Sequence, residues 1–98
     1  MDLHDISPDF LVSEREGQHF DRKSARVKPK DIAKTIAAFA NAEGGILAIG
    51  VEDNGELTGF GYDAACGIGE FRNAPYQFCR PLPRFETREI EVVNTRGE

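Results

Sequence analysis

The stretch "AFANAEGGILAIGVEDNGELTGF", residues 38–60, decides how this chain folds. Its Gly44-Gly45 pair can be read as a phosphate cradle or as the point where a helix stops and a strand begins. The flanking residues choose between them. Upstream, Ile32, Ile36 and Phe39 recur at i, i+4 and i+7, and Ala33, Ala37 and Ala40 widen the same stripe. Pro29 suits the first turn of a helix, and Asp31 places a negative charge at its positive end. Downstream, "ILAIGV", residues 46–51, is an apolar run too short for a helix and fits a strand buried on both faces. The diglycine therefore follows a helix and precedes a strand. A phosphate loop needs strand first and helix second, so that the helix N-terminus meets the anion. No Gly-Lys-Ser/Thr follows either. Gly44 or Gly45 reads as a helix stop. Asn54-Gly55 then predicts a tight hairpin, with Leu57–Phe60 returning.

The signal is weaker on either side. Residues 1–13 read as an N-terminal extension in which Phe10, Leu11 and Val12 start a helix or dock on the core. A turn at Gly17 and a short strand over His19–Lys23 follow. After Phe60, Asp63 is a candidate cap for a helix reaching Phe78, although Gly67, Gly69 and Pro75 oppose it. Ile90 and Val92 alternate with Glu89 and Glu91, the pattern of a half-buried strand. "NTRGE" reads as a turn without a returning strand, which points to a domain cut from a longer protein with further domains downstream. An unfinished strand there gives a second copy of the chain an edge to pair with, the basis for a homodimer.

The 98 residues fit one domain with one modest core. No apolar run has the length of a membrane helix, and the acidic start lacks a signal-peptide core, so a cytoplasmic protein without membrane contact is expected. Cys66 and Cys79 lie apart from each other and from any His, which reads as two free thiols rather than a zinc site.

The net charge of −5 argues against a strong polyanion binder, but the charges are segregated. Arg22, Lys23, Arg26, Lys28, Lys30 and Lys34 are 6 of the 12 basic residues, opposed within that run only by Asp31. Residues 35–71 contain none. Arg22, Lys23, Arg26, Lys28 and Lys30 are the candidate phosphate contacts, and Arg72, Arg80 and Arg84 extend the patch. An ordinary solvated loop is the competing reading. Phe71, Tyr76 and Phe78 suit base stacking, with core packing the stronger expectation. Asn41 is expected to cap the helix end, and His4 and His19 have no partners at catalytic spacing.

"EGQHFDRK" followed by "IAKTIAAFANAEGGILAIGVEDNGELTGF" resembles the divergent AlbA-type domain of Schlafen proteins and of bacterial transcriptional regulators. Ala38, Phe39, Ala40, Asn41, Gly44, Gly45, Gly50, Val51, Asp53, Gly55 and Gly59 carry the resemblance, within a domain running over residues 14–98. It implies an α+β fold with a small mixed or antiparallel sheet against two helices, and nucleic acid, DNA or RNA, as the partner. No cofactor is expected for a binding module. Some Schlafen relatives cleave structured RNA with three metal-holding carboxylates; by position these fall on Glu16, Asp21 and Asp53 (with Glu52 beside it), which would take Mg²⁺ or Mn²⁺. Asp21 stands where that pattern has Glu, and Arg22-Lys23 where it has an aromatic residue and Lys. Solvated turn and strand-edge carboxylates are the competing reading, and a protein-interaction domain without nucleic acid is the further alternative.

Overall fold

The computed structural model describes residues 3–60 and 66–91. A 3₁₀ turn, Leu3–Asp5, leads into α1, Pro8–Ser13, followed by β1, Phe20–Lys23, α2, Pro29–Asn41, β2, Ile46–Ile49, and α3, Ile68–Phe78. β1 and β2 pair in parallel, with Phe20 opposite Ile46 and Lys23 opposite Ile49, so α2 is the crossover of a β–α–β unit. The α+β class stands. The antiparallel pairing expected beside it is confined, among the described residues, to two single bridges, Gly17–Phe20 and Val51–Leu57.

α2 forms over the range its periodicity predicts. Pro29 occupies its first turn and Asp31 sits there with it. Its inward residues Ile32 and Ala33 are 0% and 1% exposed, while Ile36, Ala37 and Phe39 further along the stripe are half-buried and Ala40 is exposed. The helix ends by a backbone device: Gly44 N–H donates to Phe39 O at 2.8 Å, with Gly44 at φ +89°. Asn41, expected to cap these carbonyls, is exposed and makes no side-chain hydrogen bond among the described residues. Gly45 has a different duty. A Cβ there would lie 2.8 Å from Phe39 Cδ1 and 3.0 Å from His19 O, the carbonyl that accepts the first β1–β2 hydrogen bond from Ile46 N–H. The diglycine is thus a folding signal in two parts, one for backbone conformation and one for close approach. Gly44→Ala is expected to cost about 1–2 kcal/mol through the left-handed backbone alone. Gly45→Ala should cost about 1–3 kcal/mol by displacing the Phe39 ring or the strand start. Thermal unfolding of the two variants measures both.

The Asn54-Gly55 turn is present: Gly55, at φ +88°, donates to Glu52 O at 2.8 Å, and Glu52 N–H donates to Glu56 O at 2.9 Å. The returning strand shrinks to one bridge at Leu57. α3 forms despite Pro75 because the proline lies on its buried side with Phe71 and Ala74, where packing outweighs the lost N–H. Its N-terminus is closed by Glu70, whose Oε2 accepts from Gly67 N–H at 2.8 Å. The expected cap, Asp63, and the strand residue Val92 lie outside the described residues. Residues 82–91 have no regular secondary structure, and the strand expected around Ile90 is not formed there.

The core has three connected parts. Ile6, Leu11, Phe20, Ala48, Val51 and Leu57 pack on one side, so residues 3–13 contribute to the core rather than only extend from it. Ala25, Ile32 and Phe71 fill the centre, with Val27, Ile36, Leu47, Ile49 and Phe60 against them. Ala33, Ala74 and Cys79 join α2 to α3. The thiols of Cys79 and Cys66 donate to Ala33 O and Val27 O. Arg88 Nη1 donates to Leu3 O and Ile6 O, both at 3.0 Å, fastening the 82–91 segment to the first turn. No helix among the described residues is long and apolar enough to cross a membrane.

Candidate nucleic-acid interface

β1 sorts its four side chains by strand alternation: Phe20 and Arg22 are buried, Asp21 and Lys23 half-buried on the opposite side. Arg22 is therefore not a surface cation. Its guanidinium lies 4.8 Å above the Phe20 ring, and Nε donates to Leu11 O at 2.6 Å. Nη2 donates to Val12 O at 3.1 Å and also to Glu14 O. The side chain is 5% exposed, so the expectation that it touches phosphate is corrected: its donors are committed to the carbonyls at the end of α1. Lys23 reaches the solvent side but lies 3.3 Å from Asp21.

The loop after β1 behaves differently. Ala25 is fully buried, Val27 and Pro29 are half-buried, and Arg26, Lys28 and Lys30 alternate with them as exposed residues. Ala25 is pinned by Cys66 N–H, which donates to Ala25 O at 2.8 Å. Inward anchoring at every second position directs the three cations to solvent from one short segment that enters the first turn of α2. Lys34, one turn further on, lies 3.9 Å from the exposed Asp31. Arg72 is paired with Glu89, and Arg80 donates to the carbonyls of Tyr76 and Cys79 at the end of α3.

Glu16 and Asp21 meet. Their carboxyls share a hydrogen bond, which raises the Glu16 pKa above its ordinary value; burial and the negative charges of Asp21 and Asp53 add to this, against the Arg22 N–H that donates to Glu16 Oε2 at 3.3 Å. Partial burial pushes Asp21 up, but the hydrogen bond with Glu16 and the ammonium of Lys23 outweigh it and leave Asp21 below its ordinary value. Asp53 is exposed in the Glu52–Glu56 turn, and Glu52 accepts from Thr58 Oγ1 at 2.7 Å. Among the described residues, no three His, Cys, Asp or Glu side chains converge closely enough to hold a metal ion. The structure thus joins two of the three candidate carboxylates and leaves Asp53 as an electrostatic neighbour.

Of the aromatic candidates, Phe71 is core and pairs with Phe60, with ring centroids 5.9 Å apart. Tyr76 is exposed and contacts Phe85 edge-on. Phe78 is exposed and meets no other aromatic ring among the described residues. The expectation of core packing fails for these last two because α3 turns them to its solvent side.

A sequence model of the family described as Schlafen, AlbA_2 matches residues 16–96. The chain belongs to this family. No curated protein and no solved structure matches it. The match covers the whole β–α–β unit and α3, so the elements that present the basic segment are those of the AlbA_2 domain itself.

Proposed function

We propose that this AlbA_2 domain binds nucleic acid through backbone phosphates, as a module of a cytoplasmic bacterial regulator. The observation that carries the reading is the alternation of exposed Arg26, Lys28 and Lys30 with inward Ala25, Val27 and Pro29. Lys23 is a fourth, weaker contact because Asp21 competes for it. Contacts of this kind supply affinity without sequence preference and release counterions, so the salt dependence counts them. Three contacts on duplex DNA give a slope near −2.7 in log K against log salt, or about a 40-fold loss of affinity between 50 and 200 mM salt. Lys28→Ala should reduce that slope by about 0.9. Gel shifts or anisotropy with a labelled 12-base-pair duplex and a matching single strand measure it. Salt-independent binding, or none at 50 mM salt, overturns the reading in favour of a protein-interaction domain.

The hydrogen-bonded Glu16–Asp21 pair favours a second reading, a metal-dependent ribonuclease on Glu16, Asp21 and Asp53. Mg²⁺ is commonly held by one or two carboxylates together with substrate phosphates, so this pair fits the donor chemistry. A cation bound there would polarise a phosphate and orient water. Glu16 and Asp21 would hold it, with Asp53 adding negative charge nearby. The pair also gives a pH signature. Glu16 holds its proton more tightly in the folded state, so its contribution to stability is lost as pH rises through its folded pKa. Asp21 holds its proton less tightly, so its contribution is lost as pH falls below its unfolded value. Glu16→Gln should remove the first effect and weaken the second, because Asp21 then keeps Lys23 but not the Glu16 carboxyl. Titration of the Glu16 carboxyl by NMR, with and without Mn²⁺-mimicking Mg²⁺, tests the cation: binding moves the titration to lower pH. Incubation of the domain with tRNA and Mg²⁺ or Mn²⁺ is expected to leave the RNA intact under the binding reading. Cleavage abolished by both Glu16→Gln and Asp21→Asn would make the second reading the function.

A further inference from the structure

Between α2 and the C-terminal end of α3 lies a groove of about 310 Å³. Its floor is apolar, formed by Ala33, Ala37, Cys79 and Pro81. Its rim carries three cations, Lys30, Lys34 and Arg80, and one amide, Asn41. The chain has 17 acidic and 12 basic side chains, yet among the described residues no carboxylate lines this groove, the exposed Asp31 standing outside it at 3.9 Å from Lys34. Phe78 stands at its edge, 41% exposed. Arg80 is held in place through Nη1, which donates to Tyr76 O at 3.0 Å and Cys79 O at 2.9 Å, so its other guanidinium nitrogens are positioned rather than floppy.

We propose that this groove takes one unstacked nucleotide of a single-stranded nucleic acid, its base against Phe78 and its phosphates on Lys30, Lys34 and Arg80. The inference rests on the nucleic-acid reading above and extends it from α2 across to α3. The charge of the rim selects an anion. The apolar floor and the exposed ring select a ligand that also has a flat apolar face, and a nucleotide has both. A base within a duplex is covered by its neighbours on both faces and by its partner strand, so only a single strand can present one to the ring. Lys30 belongs to both the loop surface and the groove, which makes the two surfaces continuous at the start of α2. Lys34 follows it by one helical turn on the same side.

The test uses the full chain with three labelled 12-mers: oligothymidylate, oligouridylate and an abasic strand of the same charge. Phe78→Ala should weaken binding of the two base-bearing strands about tenfold and leave the abasic strand unchanged, the range expected for one lost stacking contact. Lys34→Glu should weaken all three. The chain contains no Trp, so Phe78→Trp supplies a single indole that can be excited apart from the tyrosines. Its emission should be quenched by the base-bearing strands and not by the abasic one, which keeps the test decisive even if the alanine variant is unstable. Salt-sensitive binding that Phe78→Ala and Lys34→Glu both leave unchanged, with Phe78→Trp emission unaffected, overturns the groove and leaves the loop reading standing. Equal loss for abasic and base-bearing strands in Phe78→Ala also overturns it. Absence of binding to every strand at 50 mM salt removes both.

Discussion

Replacing Arg22 with alanine is expected to lower stability by about 3–5 kcal/mol, the range for breaking a buried charged contact. Three carbonyls, those of Leu11, Val12 and Glu14, accept from one guanidinium. Its loss leaves the buried Leu11 carbonyl unsatisfied, at about 1–3 kcal/mol, and strips the partner from the partly buried carbonyls of Val12 and Glu14. It also removes the cation above the Phe20 ring. For a domain of this size the midpoint should fall by at least about 12 °C. Arg22→Lys should restore only part of this, because an ammonium cannot reproduce the planar fork. Circular dichroism melts give the stability, and oligonucleotide binding by the folded lysine variant gives the contrast: affinity should match that of the parent chain. A variant that melts normally but has lost affinity would place the guanidinium at the surface and reverse the assignment.

The second large effect is expected at Ile32. It is fully buried among Ala25, Phe71, Ile36, Leu47 and Ile49, where the β–α–β unit meets α3. Ile32→Ala removes three carbons from a site bounded by two helices and a sheet. The expected cost is about 2–5 kcal/mol, against about 0.5–1.5 kcal/mol for Ile32→Val. Such a loss is a large share of the roughly 5–15 kcal/mol that holds a domain of this kind together. Denaturant titration of both variants checks the ratio. A small loss at Ile32→Ala would mean that α2 and α3 can close over the gap, and that the interface tolerates movement.

What could be read in advance was what neighbours in sequence decide. The helix over residues 29–41, the short strand before it, the diglycine stop and the Asn54-Gly55 turn all depend on local spacing and backbone preference. α3 was harder because Pro75 argues against it locally, and only contact with α2 supplies the compensation. The returning strands at Leu57 and Ile90 were over-read, since alternation signals a pattern of burial and not a hydrogen-bonding partner. Arg22 shows the limit most clearly. Grouped with its charged neighbours it reads as part of a basic patch, but its partners are main-chain carbonyls, which leave no trace in composition. A signal was present nonetheless: from buried Phe20, a two-residue period puts Arg22 on the inner face, at the position where the family pattern carries an aromatic residue. The groove had no comparable signal. Lys30 and Lys34 share a helical face, but Phe78 and Arg80 join them only through packing across more than forty positions of chain.

The clasp made by Arg88 has a consequence for how such a domain can be built into larger proteins. It brings together positions 82 and 85 residues apart in sequence, so the first turn and the 82–91 segment lie side by side. Chain segments held side by side in this way let a module be spliced into a surface loop of another protein without prying that loop open.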